Sequence, residues 1–329
     1  WKLYMKWSAL NSYASSLSSD FVNQNFDFYS KTLSGTKEMK PRWKRALGKV
    51  NGGIGELLGK AFVERHFTEA SKEELARMVE NLRTVFRTRI NGLTWMSEET
   101  KTKALQKLDA FNMKIGYPDK WKDYSSLTIV ADNAVQNQMN ANQFRFNEMI
   151  NKLGKPVDKD EWFMTPQTVN AYYSSSQNEI VFPAGILQPP FYDANADDAI
   201  NYGGIGAVIG HEFTHGFDDQ GSKYDHDGNL SNWWTETDRA QFDEKANFVV
   251  KQFNSFEPLE GLFVNGKLTL GENIADLGGA TLAYHALETE LASKGEPELI
   301  DGFNYKQRFF LGWAQVWHMN MTDEELRKR

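Results

Sequence analysis

The clearest helical pattern in the chain lies between residues 71 and 108. Apolar side chains that recur three and four residues apart share one face of a helix. These positions are Leu75, Met78, Val79, Leu82 and Phe86. Ser71, with Glu74 three residues later, has the form of a capping box and predicts the start of this helix. A second helix is predicted to begin at Ser97 and to bury Leu105 and Leu108.

The pattern changes near residue 160. Residues 152–160 contain Gly154, Pro156 and charges of both signs, which is typical of a linker. Two short strands are predicted beyond it, at 168–173 and 179–182, joined by the polar segment 174–178. We therefore expect a helical region, residues 1–160, and a second region of strands and helices, residues 161–329.

Two histidines follow an apolar stripe in this second region. The stripe consists of Ile205, Val208 and Ile209. His211 and His215 are four residues apart, so a helix places both imidazoles on one face, where they can bind one Zn²⁺. Glu212 is placed to take a proton from a water on the metal, and Gly216 marks the predicted end of the helix. The alternative is a polar helix face without metal, but a chance H-E-x-x-H among six histidines has a probability of about one percent.

A zinc hydrolase needs a third protein ligand. The sequence G-E-N-I-A-D offers Glu272, and Asp276 shares its helix face and can orient a ligand histidine. Asp218, three residues past His215, can support the other histidine. Thr269 and Glu272 also have the spacing of a capping box, and on these residues alone cap and ligand are equally supported. The nearby H-E-x-x-H favours the ligand, because the metal otherwise lacks a third donor.

Four motifs occur in a fixed order along this region. They are N-A-Y-Y at 170–173, I-V-F-P-A-G-I-L-Q-P-P-F at 180–191, the run 201–219 with H-E-F-T-H-G-F-D-D, and G-E-N-I-A-D at 271–276. Together they resemble the neprilysin and endothelin-converting-enzyme family of zinc peptidases. The similarity continues upstream through L-T-W-M, I-G-Y-P and D-K-D-E-W, and covers most of the chain from about Trp43.

The resemblance implies a mainly helical α+β fold, in which a thermolysin-like zinc peptidase domain joins part of a helical domain that encloses the substrate. It implies one zinc ion on His211, His215 and Glu272, general-base catalysis by Glu212, and a supporting role for Asp276. Asn170 and Ala171 correspond to an edge strand that pairs with the substrate backbone. The pocket for the residue after the cleaved bond is implied to be lined by Ile186, Phe191, Val208 and Trp317.

The function implied is a zinc endopeptidase that cleaves oligopeptides on the amino side of hydrophobic residues. Members of the family continue beyond the point that matches Trp317, through a segment with an oxyanion-stabilising histidine and a substrate-anchoring arginine. We therefore expect an internal fragment, and His285 and His318 take neither role because they lie in no matching motif. The alternatives are a zinc-binding but catalytically impaired peptide-binding fragment, or a helical scaffold without metal.

Composition and charge limit the classes of binding partner and the cellular locations that this chain can have. A net charge of -7 without a basic patch argues against nucleic-acid binding. No apolar run approaches the roughly 18 residues of a membrane span. The absence of cysteine excludes a disulfide framework, whereas animal members of the resembled family carry disulfides. We therefore expect a bacterial protein of the periplasm, the cell surface or the medium, with the cytoplasm as the alternative.

Overall fold

The computed structural model describes residues 1–295 and 297–328, which contain twelve α-helices and one three-stranded sheet. The helices before residue 160 are α1 (Lys2–Tyr13), α2 (Ser19–Asn25), α3 (Arg42–His66), α4 (Glu69–Gly92), α5 (Glu98–Asp109) and α6 (Ala134–Ile150). The later helices are α7 (Asp198–Asn201), α8 (Ala207–His215), α9 (Glu236–Phe253), α10 (Leu270–Lys294), α11 (Tyr305–Val316) and α12 (Asp323–Lys328). The strands are β1 (Asn112–Gly116), β2 (Tyr172–Ser174) and β3 (Glu179–Pro183). The prediction of a mainly helical α+β fold is confirmed. Within the described ranges, no helix is both long and apolar enough to cross a bilayer.

Helix α4 begins earlier than predicted. Its N-cap is Thr68, whose hydroxyl oxygen accepts a 3.2 Å hydrogen bond from the backbone N–H of Ser71. The predicted start at Ser71 was wrong because threonine is also a good N-cap residue and stands three residues earlier. Glu74 does not close a capping box, and its carboxylate accepts a 2.7 Å hydrogen bond from the hydroxyl of Tyr192.

The apolar stripe of α4 faces the main core, as predicted. Its buried members are Leu75, Met78, Val79 and Leu82. Phe86, at the end of the stripe, packs edge-on against Phe217, with 5.0 Å between ring centroids. Helix α5 begins after its N-cap Ser97, also as predicted, and buries Leu108. Because Phe217 lies two residues after the end of α8, the helical region and the predicted metal helix share one hydrophobic core.

The sheet has the order β1-β3-β2, with β1 parallel and β2 antiparallel to β3. The hairpin of β2 and β3 was predicted, but β2 begins at Tyr172 and not at residue 168. Tyr172 pairs with Val181, so an extension of β2 by two residues would face Pro183. Proline has no backbone N–H to donate, and the ladder ends there.

Strand β1 was not predicted. It contains Lys114, and a lysine in a five-residue segment does not suggest a buried strand. The structure buries Lys114 because its ammonium lies 2.7 Å from the carboxylate of Glu179 on β3. Buried charges of opposite sign are tolerated when they are paired.

Helices α8 and α10 cross at two glycines. A Cβ on Gly210 would lie 2.6 Å from the carbonyl oxygen of Gly279, and a Cβ on Gly279 would lie 2.5 Å from the backbone nitrogen of His211. The two backbones are therefore closer than side chains allow. This contact fixes the position of Glu272 on α10 relative to His211 on α8.

We expect Gly279→Ala to lower the free energy of unfolding by about 1–3 kcal/mol, because the added methyl group meets backbone atoms that cannot rotate away. Gly48→Ala is the control, since nothing lies within 4 Å of a Cβ at this exposed position in α3. That variant should be unchanged or stabilised by up to about 1 kcal/mol. Urea unfolding measures both variants, and equal stability of the two would contradict the role of the crossing.

Candidate metal centre

Helix α8 carries the H-E-x-x-H sequence and ends at His215, as predicted. The imidazoles of His211 and His215 are half-buried, and their ring centroids lie 4.4 Å apart. The apolar stripe before them, Ile205, Val208 and Ile209, is buried in the core. Gly216 follows the helix but has a right-handed φ of -62°. Its lack of a side chain serves packing, because a Cβ there would lie 2.5 Å from the ring of Phe111.

The donor atoms of His211, His215 and Glu272 converge. Oε2 of Glu272 lies 3.3 Å from Nε2 of His211 and 3.6 Å from Nε2 of His215. Ligands on a tetrahedron, at zinc distances of about 2.0 to 2.2 Å, lie about 3.3 to 3.6 Å from one another. Both distances to Glu272 therefore match the spacing of zinc ligands, and the donor atoms of all three side chains lie within 4.8 Å of one another. The side chain of Glu272 is 71% exposed, so the centre opens towards solvent.

Two carboxylates hold the other nitrogen of each imidazole. Asp276 Oδ1 lies 2.8 Å from Nδ1 of His211, and Asp218 Oδ2 lies 2.7 Å from Nδ1 of His215. When Nδ1–H donates to a carboxylate, the ring is fixed and the lone pair of Nε2 is left for a metal. Sequence spacing predicted both partners.

The capping alternative for Glu272 does not form. Thr269 is the N-cap of α10, but its side chain accepts no hydrogen bond from the helix backbone. The amide of Asn273 donates to the Thr269 hydroxyl instead, at 2.8 Å. The carboxylate of Glu272 is thus free to face the histidines.

The acidic groups control the charge of the imidazoles. Burial lowers the pKa of His211, but hydrogen bonds to Asp276 and Glu272 outweigh it and raise that pKa to about 9. Burial also lowers the pKa of His215, but hydrogen bonds to Asp218 and Glu272 outweigh this effect and raise that pKa to about 10. The same two histidines lower the pKa of Glu272. A metal must therefore displace protons from this site, so its affinity falls as the pH falls.

Glu212 follows His211 directly and is only 5% exposed. Burial raises its pKa to about 7, although the charges of His211 and His215 and a hydrogen bond from the backbone N–H of Tyr173 oppose the rise. Among the described residues, its Oε2 atom has no hydrogen-bond partner. An unpaired buried carboxylate oxygen is costly, and a hydrogen-bond donor held near the three side chains would satisfy it. The residues therefore fit a zinc ion held by His211, His215 and Glu272, with Glu212 outside the ligand set.

The predicted substrate residues fall into three places. Ile186 and Val208 are buried in the main core, and Phe191 packs against it. Trp317 does not join them; it follows α11 at the surface and is 44% exposed. The exposed Asn170 and the buried Ala171 directly precede β2, which is an edge strand of the described sheet, and are not part of it.

The contact between Tyr173 and Glu212 was not predicted from the sequence. Any residue except proline has a backbone N–H, so residue type does not mark this donor. Only the register of β2 against the rest of the fold brings it to Glu212. The strand therefore contributes to the metal centre as well as to the sheet.

Comparison with known proteins identifies relatives along most of the chain. Residues 1–118 and 170–329 match two models of peptidase family M13. The chain is 40% identical over 333 residues to an endothelin-converting enzyme homolog of Locusta migratoria, and 40% identical over 325 residues to neprilysin of Homo sapiens. These alignments cover 98% and 95% of the chain but 46% and 43% of the relatives, so the chain spans about half of their length.

Comparison with solved structures identifies the same family. The crystal structure of zinc metalloprotease Zmp1 of Mycobacterium tuberculosis in complex with an inhibitor matches with a TM-score of 0.94 and 45% identity. That match covers 99% of this chain and 50% of the other. The predicted resemblance to the neprilysin and endothelin-converting-enzyme family is confirmed, and the chain belongs to peptidase family M13.

Proposed function

We propose that this chain carries the zinc site of an endopeptidase, with one Zn²⁺ bound by His211, His215 and Glu272. The observation that carries the proposal is the convergence of three donor atoms near Glu212, whose Oε2 atom has no hydrogen-bond partner within residues 1–295 and 297–328. Membership in a peptidase family supports it. When bound, zinc would polarise the scissile carbonyl and make a water molecule more acidic.

Glu212 is the proposed general base. Its pKa of about 7 lets the carboxylate accept a proton from the attacking water and return it to the leaving amine at neutral pH. Asp276 and Asp218 keep the imidazoles in the tautomer that presents Nε2 to the metal. The backbone N–H of Tyr173 steadies the ionised form of Glu212.

The substrate is proposed to be an extended oligopeptide. Strand β2 is an edge strand in the described sheet, and the adjoining Asn170 is exposed, so a peptide backbone can lie along this edge. The apolar cluster of Ile186, Phe191 and Val208 would select a hydrophobic residue after the cleaved bond. Trp317 stays a proposed pocket residue, although in the described chain it lies apart from this cluster.

The division near residue 160, the bacterial source and the location outside the cytoplasm also stay predictions.

Zinc content measured together with peptide cleavage tests the proposal. One zinc per chain and cleavage of a quenched fluorescent peptide before Phe or Leu, but not before Asp, is the expected result. Zinc without cleavage would favour the catalytically impaired peptide-binding alternative. No zinc would favour the helical scaffold.

The carboxylates behind the histidines provide a graded test. Asp218→Asn and Asp276→Asn should each weaken zinc binding by about 10- to 100-fold, because the amide holds the imidazole less firmly in the required tautomer. Competition with a chelator measures the affinity. Asp198→Asn is the control, since that carboxylate pairs with Lys294, at the opposite end of α10 from Glu272. If the control lost as much zinc affinity as the other two variants, the proposed role of these carboxylates in orienting the imidazoles would be wrong.

A further inference from the structure

Lys107 is a buried lysine outside the ligand set. It lies on α5, is 1% exposed, and its ammonium donates hydrogen bonds of 2.7 Å to the carbonyl oxygens of Gly221 and Tyr224. Three aromatic rings surround the ammonium at 5.7 to 6.0 Å from their centroids. They belong to Tyr173, Phe217 and Trp233. Lysine is rarely buried this completely, so the contacts require an explanation.

The two carbonyls belong to the loop that follows the metal helix. In this loop the N–H of Gly221 donates to Asp218 Oδ1 at 2.7 Å, while Asp218 Oδ2 holds the imidazole of His215. Gly221 also touches the helix end directly, because a Cβ on it would lie 1.8 Å from the carbonyl oxygen of His215. A shift of Gly221 therefore moves both the carboxylate that orients His215 and the backbone that carries it.

The hairpin is tied to the same lysine. Asn178, between β2 and β3, donates from its amide to the carbonyl oxygen of Lys107 at 3.2 Å. Its Oδ1 accepts a 3.0 Å hydrogen bond from the hydroxyl of Tyr173, the residue whose backbone N–H reaches Glu212. Lys107 thus contacts, through separate groups, the loop behind His215 and the strand beside Glu212.

We propose that Lys107 is a positioning residue for the metal centre, which holds the Gly221–Tyr224 loop and, through Asp218, the imidazole of His215. This inference rests on the proposed zinc site. Sequence did not suggest it, because a lysine on a helix is usually exposed.

The contact does not depend on the charge of the lysine. Burial lowers the pKa of Lys107 to about 7, although Asp218 and Asp225 oppose the change. Both the ammonium and the neutral amine have at least two N–H groups, so either form can donate to both carbonyls. The role is therefore one of geometry.

Lys107→Met, which keeps the length of the side chain and removes the donors, tests the proposal in the 329-residue chain. Lys101→Met is the matched control. Lys101 lies on the same helix, is 8% exposed, and donates to the carbonyl of Asn91 and to Glu98, which are not part of the metal loop. Both variants should be less stable than the wild type in urea, since each removes a buried donor.

Only Lys107→Met should change the metal centre. We expect its zinc dissociation constant, from chelator competition, to rise about tenfold or more, as for other residues that support ligands. The absorption spectrum of its Co²⁺-substituted form should shift from that of the wild type. In an Asp218→Asn background the same substitution should have a smaller effect on zinc affinity than in the wild type, because part of its action passes through Asp218.

Wild-type zinc affinity and Co²⁺ spectrum in Lys107→Met would overturn the proposal and leave a purely structural lysine. If that variant does not fold, Lys107→Leu, which has no donor and fills much of the same buried volume, decides the matter: weaker zinc binding supports the role and unchanged binding overturns it. A wild-type chain that binds no zinc would instead refute the proposed function itself.

Discussion

Glu212→Gln is expected to keep its zinc and to lose about 10²- to 10⁴-fold in kcat, the usual contribution of a general base. The amide has the shape of the carboxylate but cannot accept a proton from water. Metal content by elemental analysis and turnover of a quenched fluorescent peptide measure the two effects separately. If the catalytically impaired alternative holds for the 329-residue chain, the comparison must be made in a longer protein that contains it.

Glu74→Gln is the control for Glu212→Gln. Its carboxylate is also partly buried and accepts a hydrogen bond, from the hydroxyl of Tyr192, but it has no contact with the metal ligands. It should keep both zinc and turnover. If Glu212→Gln lost its zinc, Glu212 would have to be a ligand, and the proposed division of roles would be wrong.

The sequence predicted those parts of the site that depend on spacing along one helix. His211 with His215, and Glu272 with Asp276, are each four residues apart, and helix geometry alone places each pair on one face. The partner of His215 was predicted from proximity along the chain, because Asp218 is only three residues away. Helix periodicity or short sequence separation decides these contacts, so the sequence contains enough information to find them.

Contacts between segments that are distant in the sequence could not be predicted from local sequence patterns. The approach of α8 to α10 depends on Gly210 and Gly279, which have no sequence pattern of their own. Burial of Lys114 and Lys107 depends on partners 65 and 114 residues away, and either lysine alone suggests an exposed position. The predicted start of α4 was wrong for a different reason. Thr68 and Ser71 are both good N-cap residues, and only the packed structure selects one of them.

The proposed third ligand, Glu272, was predicted partly from local spacing and partly from the chemistry of the distant histidines. Glu272 was assigned because the metal needs a third donor, and the structure places its Oε2 atom 3.3 Å from Nε2 of His211. We expect Glu272→Ala to weaken zinc binding by more than the roughly 100-fold that the loss of a supporting carboxylate can cost. Peptide cleavage should be lost with the metal.

The decisive comparison is between thermal shifts with and without zinc. A ligand that binds only the folded state raises Tm, so zinc should stabilise the wild type and Glu212→Gln but not Glu272→Ala. Glu288→Ala, a substitution on the same helix that removes only a contact with His285, should respond to zinc like the wild type. Zinc retained at one equivalent in Glu272→Ala would mean that another side chain completes the site. Because Glu272 is the one proposed ligand on α10, its loss separates a true three-ligand centre from a pair of histidines on a helix face.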